Sequence, residues 1–471
     1  MTEENRHFLS GTVTYAQVPK PMTRPAPAPV DLTDDTLALH KQKILERMNA
    51  AGLHLLAIYA DREHGTNFGY LTGYEPRFEE SVLMLQADGT AKLMLGNESL
   101  RMAQYSRISA EVVHTPHFSL PNQPMGNSRT LIELMGDAGV KPGMQVGIVG
   151  WKLFTSAVDD NTQLFDVPSF IVEAVKNITG MHGRVLNATG LFIDPDHGAR
   201  VRMNANEIAH YEFGASQASD RVLRLLDKLE PGLTEMELAH ELAVYGQPNN
   251  VQTICATGDR FTNAVVAPRD KAVRVGDKFS ATLGYRGGLT SRSGYVVNSA
   301  DELPDEVADY LDAVAIPYYR AAVTWYEKLA IGLTGGTMYE AIESVLPKSR
   351  YHWHLNPGHL TAGEEWLSSP FYPQSDIPVQ SGMLLQMDII PSVPGYGGAS
   401  AEDGVAIADE ELRRELAEAY PEVWARILER RAYMEKVLGI ALKPEVLPLS
   451  NLNGYFRPFL LNKAFALKAG E

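Results

Sequence analysis

The side chains best able to do chemistry crowd into one stretch. His352, His354 and His359 fall within eight residues, and Glu364 and Glu365 follow closely. Imidazole moves protons near neutral pH and is the commonest metal ligand, so this cluster is the first candidate for an acid–base or metal-binding centre. If the segment is a strand, His352 and His354 share one face and alternate with Tyr351 and Trp353. A solvated face explains His352 equally well. Glu364 or Glu365 would add a carboxylate to such a centre, or the two are a solvated loop pair. Other patterns point away from other chemistries. Ser291 and Ser293 lack a nucleophile elbow, so a serine-hydrolase triad is not expected. Gly395-Tyr396-Gly397-Gly398 lacks the Gly-Lys-Ser/Thr of a phosphate loop and reads as a turn between two strands. Cys255, the one cysteine, lies in the apolar run 251–256 and reads as a packing residue.

These residues need a scaffold, and the composition bounds it. The 471 residues allow two or three domains. With 45% hydrophobic and 21% charged residues, the chain is neither disordered, fibrous nor a disulfide framework. Lys and Arg total 42 against 58 Asp and Glu, a formal charge of −16, which argues against nucleic-acid binding. No run of ~18 apolar residues spans a membrane, and residues 1–17 hold no apolar signal core. A single cysteine suits a reducing compartment. A cytoplasmic protein without nucleic-acid or membrane partners is expected.

Residues 1–34 read as an arm. Pro19, Pro21, Pro25, Pro27 and Pro29 favour extended polyproline geometry, and the arm is expected to wrap a neighbour. From 35 to 200 helical and strand patterns alternate, as in an α/β domain: a helix over 35–52, a strand over 53–60, a hairpin around Asp88-Gly89 and a strand over 145–150. From 201 to 440 they come in blocks, as in an α+β domain. Asn204 with Glu207 and Thr234 with Glu237 are capping-box pairs opening two helices. Residues 441–471 read as a tail.

The order of several short segments resembles the creatinase, aminopeptidase P and prolidase family with its pita-bread fold. They are Asn206-Glu207-Ile208, Leu229-Glu230-Pro231-Gly232-Leu233-Thr234-Glu235, Ala256-Thr257-Gly258, Val275-Gly276-Asp277-Lys278, the 283–288 strand, Gly358-His359, 381–388 and Ala401-Glu402-Asp403-Gly404-Val405. Phe68-Gly69-Tyr70-Leu71-Thr72-Gly73-Tyr74 fits that family's first domain. The resemblance implies two divalent ions on two aspartates, a histidine and two glutamates, hydrolysing an amide bond. It also implies a homodimer.

The ligand positions depart from that pattern. Thr282 stands where the first aspartate belongs, and no Asp or Glu lies between Asp277 and Asp301 to supply the second. His359 and Glu402 match, and Asp388 replaces a glutamate. The histidine expected before Pro268 falls on Val265 or Val266, and a later one near Leu367 and Ser368 is absent. His354 stands in for the other pocket histidine. Two cations without bridging anions repel too strongly to share a site. The resemblance therefore implies a divergent hydrolase acting without metal on a small C–N-containing metabolite. His359 and His354 would be acid–base groups, with Asp388 and Glu402 polarising the substrate. Arg286, Arg292, Tyr285 and Glu364 would contact it. No cofactor is expected. The alternatives are an Xaa-Pro-type metallopeptidase with one manganese, iron, cobalt or zinc ion on His359, Asp388 and Glu402, and a non-catalytic binding scaffold.

Overall fold

The computed structural model describes residues 12–470 except 77, 127–128, 244 and 260–266. Two compact units emerge: residues 32–201 form one, and residues 12–31 with 202–470 form the other.

The smaller unit is a six-stranded mixed sheet in the order Glu111–His114, Ala91–Leu95, Ser81–Gln86, Leu55–Ala60, Gln145–Val149 and Arg184–Asn187. The 81–86 and 91–95 strands pair as the hairpin their turn residues predict, whereas Leu55–Ala60 and Gln145–Val149 run parallel. Leu55, Ala57 and Tyr59 alternate onto a face packed by Ile171 and Val175 of the Ser169–Thr179 helix. The helix Asp34–Ala50 opens on Thr33, whose side chain accepts from Thr36 N.

The larger unit is built on a seven-stranded antiparallel sheet. Its order is His359–Leu360, Leu384–Met387, Ser400–Ile407, Gly288–Tyr295, Lys278–Tyr285 and Ile254–Thr257, and Val446–Pro448 also pairs with Ser400–Ile407. The long helix Ala205–Lys228 lies against the hairpin strands. Gly214 permits this approach, because a Cβ there would collide with the Arg286 carbonyl. Both expected capping boxes form, at Asn204 with Glu207 and at Thr234 with Glu237. The turn between those helices recurs a hundred residues on. Gly232 N donates to Val273 O and Val273 N to Leu233 O, and Gly332 N donates to Val379 O and Val379 N to Leu333 O.

Both ends of the chain differ from the expectation. The proline-rich stretch lies on its own unit: Val18 N donates to Ala464 O, Ala26 N to Ser216 Oγ, and Gln217 Nε2 to Ala26 O. Residues 441–471 are not a loose tail. Val446–Pro448 extends the main sheet, and Phe465–Gly470 pairs antiparallel with Thr12–Gln17. The pairing buries Ala466 and Leu467, whose apolar side chains a solvated tail would leave in water.

Cys255 is fully buried, with Sγ 3.3 Å from Glu235 O, and burial together with the Glu235 charge pushes its thiol up to about 12. Only thiolate reacts with alkylating agents. Iodoacetamide at pH 8 is therefore expected to leave the folded chain unlabelled by mass spectrometry and to label it fully in denaturant.

Candidate functional site

Sheet register assembles the site. Residues directly opposite one another in an antiparallel sheet project from the same face. Thr282 is opposite Ser291, and Ser291 is opposite Glu402. Gln386 is opposite both Gly404 and His359. Asp388, two residues beyond Gln386, comes up beside Glu402. Five neighbouring strands thus place His359, Asp388, Glu402, Ser291 and Thr282 on one face, although His359 lies 77 positions after Thr282 in the chain.

Gly358 lets His359 enter the sheet. Its φ is +120°, and a Cβ there would stand 2.6 Å from the Gln386 carbonyl oxygen. The imidazole is fully buried and stacks on Trp366 at 4.2 Å between ring centroids. Its Nδ1 donates to Leu360 O at 3.1 Å, because a carbonyl can only accept, and Nε2 is left facing the acids. Nε2 lies 2.9 Å from Glu365 Oε1 and 3.8 Å from Asp388 Oδ2. Burial alone would lower this imidazole's pKa, but the Glu365 and Asp388 charges outweigh it and the net shift is upward.

Asp388 is 4% exposed and Glu402 9%. Burial raises Asp388 to about 6, against the pull of His359 and with the repulsion of Glu365. Glu402 is pushed well above the carboxylate range by burial and by the charges of Asp388, Glu365 and Asp403. Two carboxyls this close share a proton rather than both ionise. Beside them Thr282 Oγ1 and Ser291 Oγ hydrogen-bond each other at 2.8 Å. Thr282, Ser291, Asp388, Glu402 and Glu365 line a cavity of about 590 Å³ whose walls include Leu289, Trp366 and Ile390, and His359 lies buried behind Glu365 and Trp366.

The remaining candidates go elsewhere. Arg292 follows Ser291 and therefore projects from the opposite face. It is 2% exposed and donates to Tyr455 O, Ser291 O, Glu402 O, Leu452 O and the Asp403 carboxylate. All its donors are committed, so it is a structural clamp and not a substrate contact. Tyr285 is buried with its hydroxyl on Leu242 O. Arg286 is exposed at the hairpin turn, and neither lines the cavity. His352 and His354 share no strand face: Lys348–Tyr351 is a helical turn and His352 caps it at φ +53°. His354 is exposed and outside the cavity lining. Glu365, not Glu364, faces His359, and the Glu364 backbone carbonyl accepts from Thr361 and Ala362. Val265 and Val266 lie outside the described residues. Spacing gave no means of choosing Glu365 over Glu364, and Trp366 carried no signal at all.

Comparison with known proteins agrees with this architecture. Residues 214–409 match the model of metallopeptidase family M24. No curated protein matches. Among solved structures, the prolidase from Pyrococcus horikoshii OT3 is 17% identical with a TM-score of 0.60, covering 78% of this chain and 95% of its own. The dipeptidase PepE from Mycobacterium ulcerans is 17% identical with a TM-score of 0.61, covering 80% and 95%. The Xaa-Pro dipeptidase from Bacillus anthracis is 16% identical with a TM-score of 0.58, covering 80% and 96%. The larger unit is a pita-bread domain. Residues 214–409 are thus similar to metallopeptidase family M24, and the fold is the one shared by these prolidase and dipeptidase structures.

The family's two-ion centre does not fit these residues. Its bridging positions hold neutral Thr282 and Ser291 hydroxyls already bonded to each other, which cannot offset two dications. One divalent ion does fit the donor set: a ligand atom from each of His359, Asp388 and Glu402 lies within 4.8 Å of the others. Held there, it would polarise a carbonyl as a Lewis acid.

Two outcomes are expected. Arg292→Ala leaves Asp403 buried without its cation and should cost about 3–5 kcal/mol in urea unfolding; a small loss would show the clamp to be dispensable. The raised carboxyls bind protons in the native state that the unfolded chain releases near pH ~4. Metal-free protein should therefore lose stability as pH rises from ~4 through the Asp388 value of about 6. Glu402→Gln should flatten that slope, measured as unfolding midpoints against pH.

Proposed function

We propose that this chain is a hydrolase that cleaves a C–N bond in a small cationic substrate without the two-ion centre of its family. The observation that carries the reading is the Thr282–Ser291 hydroxyl pair on the same sheet face as the buried Asp388 and Glu402 carboxyls. His359 Nε2, with the ring oriented by Leu360 O, takes a proton from the attacking water. The hydroxide adds to the substrate carbon, and Glu365 stabilises the imidazolium that forms. As the C–N bond breaks, the proton shared by Asp388 and Glu402 passes to the leaving nitrogen. One hydroxyl hydrogen of the Thr282–Ser291 pair is left to bond the oxygen on which charge develops. Three carboxyls against one imidazole favour a positively charged substrate. The expected homodimer belongs to this reading and rests on the family resemblance alone.

A second reading is a one-metal hydrolase, favoured by the mutual proximity of the His359, Asp388 and Glu402 ligand atoms. A screen of small cationic amides and amidines for amine or ammonia release separates the two. The first reading expects turnover unchanged by chelation and lowered at least ~100-fold by His359→Ala. Turnover lost to chelation and restored by manganese overturns it in favour of the second. Full turnover by His359→Ala sinks the acid–base role.

A further inference from the structure

The sheet face bearing the acids continues into rows that the reading above does not use. Ser280 is opposite Ser293, and Ser293 is opposite Ser400, one row beyond Thr282, Ser291 and Glu402. Lys278 is opposite Tyr295 one row further. Lys278 and Ser293 line the same cavity as the acids. Two rows span four residues, so the Cα of Lys278 is roughly 13 Å from that of Thr282. Lys278 makes no ion pair among the described residues, although Asp259 also lines the cavity. The glycine turn closes over this end. Gly397 N donates to Tyr295 Oη, and a Cβ on Gly397 would stand 3.2 Å from Lys278 Cγ. A Cβ on Gly398 would stand 3.5 Å from Ser293 Oγ. The loop thus packs its backbone onto the lysine stem and beside the Ser293 hydroxyl, and both residues stay partly exposed.

We propose that Lys278 with Ser293 is an anion subsite, and that the substrate is an extended dipolar molecule. Its carboxylate sits on Lys278, and its cationic nitrogen lies beside Glu365, Asp388 and Glu402. The placement of the nitrogen rests on the function proposed above; the anion subsite does not. An unpaired ammonium in a cavity recognises a carboxylate by charge-assisted hydrogen bonding. The Ser293 hydroxyl, in the same cavity wall, is a second donor. The separation of the two ends selects the length of the molecule between its charges.

Calorimetric titration with three probe series tests this: n-alkylamines, ω-amino acids of graded length, and alkanoates. Wild-type protein should bind one length of ω-amino acid at least about tenfold more tightly than the matching amine. Lys278→Met should abolish that advantage and leave amine binding unchanged, and Lys278→Arg should keep most of it. Lys278 is partly exposed, so equal melting temperatures of the variants confirm that folding is not the cause. An advantage that survives Lys278→Met, or no advantage for any carboxylate-bearing probe, overturns the subsite. Failure of the acid-pocket reading looks different: amines do not bind, while alkanoates still bind in a Lys278-dependent way. That result keeps the anion subsite and rejects the dipolar pairing.

Discussion

The buried Arg292–Asp403 ion pair holds the centre of the larger unit together. Arg292 bonds across to the Glu402 carbonyl and the Asp403 carboxylate on one neighbouring strand, and back to the carbonyls of Leu452 and Tyr455. Asp403 in turn accepts from Thr290 and Ser450. A buried pair of this kind adds little over apolar packing, but it penalises every arrangement that leaves either partner alone. Strand register is such an arrangement. A slip of the 288–295 strand by one residue would turn Arg292 toward the cavity and Ser291 away from it. The clamp on the back of the sheet thereby decides which side chains meet on the front.

What meets there departs in one respect, with large consequences, from the two-ion centre that the family resemblance implies. Anionic oxygens between strands can hold two cations; a hydroxyl pair cannot. The same buried space then acts on protons instead. Without cations to offset them, Asp388 and Glu402 repel each other and Glu365, and burial adds to the cost of charge. On the metal-free reading proposed above, the pocket lowers that cost by keeping a proton, so its buried carboxyls hold one carboxylic acid between them. The difference needs no new fold, only uncharged side chains at two facing positions.

Much of this was legible in the residues, and what was not has a common cause. Signals confined to a few neighbouring residues read correctly: the Asn204–Glu207 and Thr234–Glu237 boxes and the 81–95 hairpin. His359, Asp388 and Glu402 were found through the order of their motifs, and the sheet brings them together. Arg292 was misplaced because its role depends on parity across three strands, which no local pattern reveals. Tyr285 and Arg286 fell to the same ambiguity. His354 was misjudged because a helical turn, set by packing of Tyr351 and Trp353, replaced the expected strand. Residues 441–471 looked like a tail because their partner, Thr12–Gln17, stands at the far end of the numbering.

That last pairing bears on how the protein is made. Thr12–Gln17 leaves the ribosome more than four hundred residues ahead of its partner Phe465–Gly470. The strand must wait through synthesis of more than four hundred residues, and the 32–201 unit can complete its own sheet in the interval. Val13 and Tyr15 have no ladder partner until then. The interval after residues 32–201 have folded is thus when the nascent chain most needs protection from pairing with a copy of itself.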